Sequence, residues 1–318
     1  MGNGLLVTIR CLTYNHEPYI RQCLDGFVMQ KTNFRFEAIV HDDASTDGTA
    51  AIIKEYAEKY PDIIKPIFEI ENQYSKRDGS LTKVMNSYMH GKYIAICEGD
   101  DYWIDPFKLQ KQVDVLEKDE NIGLCYSKAH VYNQKTRKYD GYVGEKFINF
   151  KSTILKNPVV TLTAMYRKNL YDSYLDQIKP YDKQWLMGDY PLWLWIASQN
   201  SVYFIDEVTG VYRVLENSAS HNLDLKKNTL FNESVRNIRL FFNRSFLKNE
   251  DLEIEINDLF YRENVFIGIK NFNRIISLTY CKKIVRKTIK DKLKLFLLKT
   301  RVGFVFLTHK CLFNCIFL

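Results

Sequence analysis

Three acids crowd around one glycine in the stretch Glu98-Gly99-Asp100-Asp101, directly after the short apolar run Tyr93 to Cys97. Carboxylates packed this closely raise one another's pKa unless a cation compensates them. Hard oxygen ligands of this kind suit Mg²⁺ or Mn²⁺, above all where phosphates supply the remaining ligands. Taken alone, the same residues also fit a solvated acidic turn. A second acidic pair, Asp42-Asp43, follows the apolar run Phe36 to Val40. Acids at such strand ends hydrogen-bond a base or ribose in nucleotide-binding α/β folds. Ser45, Thr46 and Asp47 can equally cap a helix beginning near Thr49.

The elements that must position these acids alternate in the βαβ manner over the first hundred residues. Strands are expected at 5–12, 36–40, 63–70 and 93–97, and helices at 19–29, 49–60, 81–90 and 107–116. Such alternation predicts a mostly parallel sheet with right-handed crossovers, whose strand ends open on one rim and can share one ligand. Beyond residue 122 the pattern loosens. Strands are expected at 123–132 and 159–166, a turn and short helix over 185–195, and two strands about a turn over 202–213. After Asn222 the texture is helical and charged.

Three blocks carry a resemblance: Ile9-x-x-Leu12-Thr13-Tyr14-Asn15-x-x-x-Tyr19-Ile20-x-x-Cys23-Leu24; Val40-x-Asp42-Asp43-x-Ser45-Thr46-Asp47-Gly48-Thr49; and Asn86 with Lys92-Tyr93-Ile94-x-Ile96-x-Glu98-x-Asp100-Asp101-Tyr102-Trp103. In order and spacing, over roughly residues 5 to 215, the chain resembles a family 2 glycosyltransferase of the type that builds bacterial cell-surface polysaccharides. The resemblance implies the α/β GT-A fold, a Rossmann-like mostly parallel sheet flanked by helices. It also implies a divalent metal, a nucleotide-diphosphate sugar donor (most commonly a UDP-sugar) and inversion at the anomeric carbon.

Residue by residue, it puts Thr13 and Asn15 beside the nucleotide and Asp42 and Asp43 on its base or ribose. Glu98-x-Asp100 stands at the family's DxD position, with Asp100 as metal ligand and Asp101 beside it. Glu98 departs from the usual Asp, and its longer arm reaches ribose or metal-bound water. Lys83 or Arg77 would neutralise diphosphate. Asp189, in Gly188-Asp189-Tyr190-Pro191, stands where the family's catalytic base opens a helix. Trp185, Tyr190, Trp193 and Trp195 surround it in sequence and could stack on sugar rings or belong to the core. The segment Val211 to His221 resembles one that closes over the donor phosphates; Leu215 replaces a frequent His, which leaves Arg213, Ser218 or His221 to serve.

The 318 residues contain 46% apolar side chains, enough for a substantial core. Residues 1–222 are expected to form the glycosyltransferase domain, with its nucleotide half at about 1–105 and its acceptor half at about 106–222. Residues 223–318 form a helical extension. Seven cysteines without a CxxC pair, and no visible signal peptide, suggest a reducing cytoplasmic setting. Residues 280–318 hold ten Lys or Arg against one acid, Asp291, a net +9, whereas the rest hold 35 basic and 37 acidic residues, a net −2. The basic excess therefore does not describe a nucleic-acid groove in the body. Val285, Ile289, Leu293 and Phe296-Leu297 recur about every fourth residue among these cations. That spacing fits a helix on an anionic membrane, peripheral on the inner face and close to a lipid-linked or other glycan acceptor, or a helix packed on the domain.

The function expected is metal-dependent, inverting sugar transfer to a hydroxyl of such an acceptor. A sugar nucleotidyltransferase of similar fold, or a non-catalytic nucleotide-sugar or membrane-binding module, are the alternatives. Glu98 stands where a haloacid-type phosphatase needs its nucleophilic Asp.

Overall fold

A computed structural model describes residues 4–215 and 224–313, with side chains described as far as His309. The chain forms two compact units, residues 1–184 with 188–216, and residues 185–187 with 217–318.

The first unit alternates as its periodicity requires: β1 (Leu5–Thr13), α1 (Ile20–Val28), β2 (Arg35–Asp42), α2 (Thr49–Lys59), β3 (Ile64–Phe68), α3 (Ser80–Tyr88) and β4 (Tyr93–Ile96). Then come β5 (Tyr102–Trp103), α4 (Lys108–Lys118), β6 (Ile122–Asn133), β7 (Lys138–Val143), α5 (Phe150–Leu155), β8 (Met165–Arg167), α6 (Lys168–Gln177), α7 (Asp189–Gln199) and β9 (Ser201–Val214). One sheet has the order β3-β2-β1-β4-β8-β6-β9-β5, with β7 paired to β6. β1 to β4 are mutually parallel. β8 runs antiparallel to β4 and β6 antiparallel to β8, while β9 is parallel to β6. The carboxyl ends of β1, β2, β4, β6 and β9 therefore share one rim.

Amphipathic helices cover the sheet. α1 buries Ile20, Cys23, Leu24 and Phe27, spaced three and four apart, against Val7, Ile9 and Cys11 of β1. Trp103 closes the core, edge-on to Phe27 at 5.0 Å, its indole N–H donating to the Leu162 carbonyl at 2.7 Å.

Two sequence expectations are corrected here. Residues 159–166 are not one strand, since Thr161–Thr163 makes a 3-10 turn before the short β8. The Thr163 hydroxyl donates to the carbonyls of Ser127 and Val160, a local alternative to strand pairing. Residues 202–213 are not two strands, since β9 is continuous and absorbs the Asp206-Glu207 stretch as a bulge opposite Lys128. Lys128 pairs with Asp206 and Lys111 with Glu207, which holds the bulge out. Residues 133–158, between the strands expected at 123–132 and 159–166, hold β7 and α5.

The second unit is helical: α8 (Leu225–Phe242), α9 (Glu250–Lys270), α10 (Arg274–Lys283), α11 (Ile289–Leu298) and α12 (Arg301–Phe313), with a π-helical turn at Asn243–Leu247. Val265, Ile269, Cys281, Ile284, Leu298, Phe304 and Leu307 form its core. Buried Asp258 accepts from the Val285 and Arg286 amides at 2.7 and 2.8 Å, and Arg262 pairs with buried Asp291 at 3.1 Å.

Lys108 lies wholly inside the first unit, its Nζ 4.1 Å from the Trp103 ring centre and donating to Gln112 Oε1 at 2.6 Å. Burial pushes its pKa from 10.5 down to about 7. Between those values the unfolded chain binds a proton that the folded chain does not, so stability rises with pH across that window. The penalty below it is on the order of 5 kcal/mol, offset in part by the Gln112 contact. Lys108→Met should therefore stabilise the protein at neutral pH, with an advantage that shrinks towards pH ~10; urea unfolding across this range checks it, and a pH-independent difference would refute the buried charge as cause.

Candidate active site

The acidic turn is an extension of β4. The Cys97 and Gly99 amides continue the ladder to the Arg10 and Leu12 carbonyls at 3.2 and 3.0 Å, and the Asp101 amide then turns back to the Glu98 carbonyl at 3.1 Å. This delivers Glu98, Asp100 and Asp101 to the rim beside the ends of β1 and β2. Gly99 is required by packing: a Cβ there would lie 2.5 Å from Thr13 Cγ2 and 2.8 Å from His16 Nδ1.

The three acids have different surroundings. Glu98 is partly buried with Arg10 Nη1 at 3.8 Å. Burial raises its pKa to about 7, with the charges of Asp100 and Asp189 pushing further up and Arg10 pulling down. Asp101 is buried, and desolvation together with Asp100 holds its carboxyl well above the usual range. Its Oδ1 accepts from the Arg213 amide at 2.7 Å. The Asp100 carboxylate accepts no hydrogen bond among the described residues, although its backbone carbonyl takes Arg213 Nε at 2.8 Å.

Arg213 straps this turn to the sheet. Its Nη1 and Nη2 donate to Gln134 Oε1 and Gln22 Oε1 at 2.8 and 2.6 Å, and its guanidinium lies over Tyr19, Tyr102 and Tyr132. The Arg213 guanidinium, one of three groups that the resemblance left to serve the donor phosphates, thus makes its hydrogen bonds within the fold. Ser218 and His221 lie outside the described residues.

The ends of β1 and β2 are stitched together. Thr13 Oγ1 donates to the His41 carbonyl at 3.2 Å and lies 3.4 Å from Asp42 Oδ1. Asn15, at a left-handed φ of 55°, accepts from the Thr46 amide at 2.8 Å and donates its own amide to Ser45. Asp42 takes the Ser45 amide at 3.3 Å, and Asp43 takes the Gln73 and Tyr74 amides at 2.6 and 3.0 Å. Both acids therefore anchor loops while each carboxylate keeps lone pairs to spare. Lys83 and Arg77 are exposed and form no ion pair among the described residues.

Asp189 is the first residue of α7, not its cap; Gly188 holds that position. Its Oδ2 accepts from Thr161 Oγ1 at 2.6 Å, and its charge reaches Glu98. The neighbouring aromatic residues belong to the interior. Trp193 is fully buried, Tyr190 donates to the Thr153 and Ile154 carbonyls, and Trp195 Nε1 donates to the Leu170 carbonyl. Stacking of these rings on a sugar is excluded by their burial. Trp185 belongs to the second unit, edge-on to Phe241 at 5.4 Å.

Three site residues were not foreseen. Arg10 interrupts the apolar β1 and is the cation nearest Glu98; that interruption was the available signal. His16 faces Asp100, Asp47 and Asp42, its pKa lowered by burial, with Nδ1 unpartnered. Thr161 contacts Asp189 across 28 residues, and no local pattern announces it. No group of three His, Cys, Asp or Glu among the described residues makes a ready metal cage. A divalent cation nevertheless fits the chemistry, since Asp100 offers a carboxylate that accepts no hydrogen bond among the described residues, and burial, with the charge of Asp100 added, raises the pKa of Glu98 and Asp101 beside it.

The family described as Glycosyl transferase family 2 matches residues 9–175. EpsE of Bacillus subtilis is 30% identical over 246 residues, 76% of this chain and 82% of that protein. The Escherichia coli UDP-Glc:alpha-D-GlcNAc-diphosphoundecaprenol beta-1,3-glucosyltransferase WfgD is 26% identical over 220 residues, 68% of this chain and 80% of that protein. An uncharacterized Mycobacterium tuberculosis protein, Rv1520, is 36% identical over 180 residues, 55% of this chain. The chain spans about half of that relative, 51% of its length. Among solved structures, S. aureus TarS 1-349 in complex with UDP-GlcNAc superposes with TM-score 0.54 at 15% identity, covering 88% of this chain and 90% of that one. The mannosyltransferase PcManGT from Pyrobaculum calidifontis, in complex with GDP-Man and Mn²⁺, gives 0.56 at 16% identity, covering 96% and 84%. These likenesses show the fold: GT-A-like, a curled, mostly parallel sheet with flanking helices.

Gly99→Ala should destabilise the protein by about 1–3 kcal/mol and weaken donor binding, because the added methyl must displace Thr13 or His16 and with them Asp100. Urea unfolding and calorimetry with UDP check both; an unchanged protein would show the close approach to be dispensable.

Proposed function

The chain belongs to glycosyl transferase family 2, and from that premise we propose that it moves a sugar from a nucleotide-diphosphate donor to an acceptor hydroxyl, metal-dependently and with inversion. The observation that carries the reading is the electrostatic proximity of the Glu98–Asp101 turn and Asp189, two acidic sites of unlike environment at one rim. Thr13, Asn15, Asp42 and Asp43 would hold the nucleoside, using the lone pairs that the loop amides leave free. Asp100 would hold Mg²⁺ or Mn²⁺, with Asp101 beside it and one Asp101 oxygen spent on the Arg213 amide. The cation, when bound, supplies positive charge to the diphosphate leaving group.

The chain's own residues do the rest. Thr161 Oγ1 and the Tyr190 amide, donating to Oδ2 and Oδ1 at 2.6 and 2.7 Å, fix the Asp189 carboxylate, and a remaining lone pair would take the acceptor hydroxyl proton. Attack from the face opposite the leaving group needs no covalent intermediate. Glu98, with Arg10 behind it, would meet sugar or ribose hydroxyls. Arg213 is a positioning residue for Asp100, and Lys83 and Arg77 are free to approach phosphate.

We place the acceptor at the inner membrane face, as a lipid-linked glycan, because the +9 segment 280–318 gives the chain a means of lying on anionic lipid. No helix among the described residues is long and apolar enough to cross a membrane.

Asp189→Asn should lower transfer by about 10²–10⁴-fold while leaving donor binding intact. Asp100→Asn should remove the Mn²⁺ dependence of UDP binding. Transfer from a panel of nucleotide-sugars to membrane extract, with calorimetry on UDP, reads both; full turnover by Asp189→Asn would remove that residue from the mechanism.

A further inference from the structure

Each helix of the basic tail has two apolar faces, of which only one is used by the fold. Leu298 of α11 and Phe304 and Leu307 of α12 are buried in the core of the second unit, and Leu295 and Leu297 pack against it. Ile289, Leu293 and Phe296, on another side of α11, are 86%, 57% and 69% exposed. Val302, Val305 and Phe306 of α12 repeat the arrangement at 82%, 53% and 57%. Amphipathic packing explains the first face and leaves the second unexplained.

The exposed apolar surface also extends beyond the tail. Phe272 and Ile275, at the corner between α9 and α10, are 63% and 75% exposed. Arg274, between them in sequence, donates to the carbonyls of Leu298 and Lys299 at 3.1 and 3.3 Å and so ties this corner to the end of α11. α12 begins at the same place: Gly303 comes so close to Leu297 that a Cβ would lie 2.4 Å from its carbonyl oxygen. Nine of the 24 large apolar side chains exposed among the described residues fall within residues 272–306. A monomer's surface rarely concentrates them in this way without a partner.

The charges around this surface identify the partner. Lys282, Lys290, Lys292, Lys299 and Arg301 are exposed and form no ion pair among the described residues. Arg286, by contrast, pairs with Asp251. Apolar side chains among uncommitted cations match a bilayer interface carrying anionic headgroups, where acyl chains receive the former and phosphates the latter. A second copy of the chain would bring the same cations against one another.

We propose that the α9–α10 corner and the outward faces of α11 and α12 form one membrane-docking surface, in which Phe272 and Ile275 insert below the headgroups of an anionic bilayer. This rests on the reading of 280–318 as a membrane segment and adds an insertion point outside it. The cations draw the unit to the surface, and the apolar side chains hold it there when salt screens the charges.

The test is sedimentation of the full chain with phosphatidylcholine vesicles, with and without phosphatidylglycerol, at low and high salt. Phe272→Ser/Ile275→Ser should lower partitioning onto phosphatidylglycerol vesicles by about 10-fold or more, and most of that loss should persist at high salt. Lys290→Gln/Lys292→Gln/Lys299→Gln should lower it at low salt alone. Unchanged partitioning of the corner variant, alongside a loss in Ile289→Ser/Leu293→Ser/Phe296→Ser, overturns the insertion point and leaves the tail reading standing. No binding by the unaltered chain overturns both. A dimer in solution that the corner variant dissociates, without vesicle binding, assigns the surface to a second copy instead. Every altered side chain is exposed in the fold, and circular dichroism of each variant shows that folding is kept.

Discussion

Four acids gathered at one rim must be kept close without being neutralised in advance, and Arg213 meets most of this constraint. Its backbone amide satisfies Asp101, its Nε holds the Asp100 carbonyl, and its remaining donors reach Gln22 and Gln134 on α1 and beyond β6. Three tyrosine rings surround the guanidinium, a setting that suits a planar, weakly hydrated cation and not an ammonium. The charge therefore stabilises the acidic turn through the backbone and through Asp101, while the Asp100 carboxylate is left without a partner. A salt bridge to Asp100 itself would have filled the position proposed for a cation. Arg10 behaves similarly towards Glu98: at 3.8 Å it offsets burial only in part, and the carboxyl stays near neutrality.

The same economy appears at Asp189. One oxygen is fixed by Thr161 and the residue opens α7, whose other aromatic and aliphatic side chains anchor the helix in the core. The other oxygen takes the Tyr190 amide at 2.7 Å, so the carboxylate proposed as base is held at a defined place with a lone pair left on each oxygen, which proton abstraction requires. Asp42 and Asp43 show a related compromise, since each orders a loop with one or two backbone amides and keeps acceptor capacity for a ligand.

The parts legible in the sequence were those set by local pattern. Apolar runs ending in acids marked β2 and β4, and 3.6-residue periodicity marked α1 and α2, because these elements bury one face against neighbours close in sequence. What escaped depends on distant partners. β9 reads as two strands because Asp206-Glu207 resembles a turn; only Lys128 and Lys111, about eighty and ninety-six residues earlier, make it a bulge. The tryptophans near Asp189 look available for stacking because periodicity cannot distinguish a buried helix from a binding face, and α7 is buried nearly all round. Arg213 reads as one of three candidates for the donor phosphates, and only the fold shows its guanidinium donating to the Asp100 carbonyl, Gln134 and Gln22.

The tail shows why two readings of a sequence need not compete. A basic amphipathic helix can pack on a domain or lie on a membrane, and its spacing alone does not decide between them. Here α11 buries Leu298 and pairs Asp291 with Arg262, so its inward face is settled by the core of the second unit. Ile289, Leu293 and Phe296 remain outside, where water should select against them unless a nonaqueous neighbour is present for much of the protein's life. Because the inward face is packed, the outward one stays in a fixed orientation. A rigid apolar surface loses less conformational entropy on docking than a helix that must fold there, so modest apolar area and a few uncommitted cations can suffice.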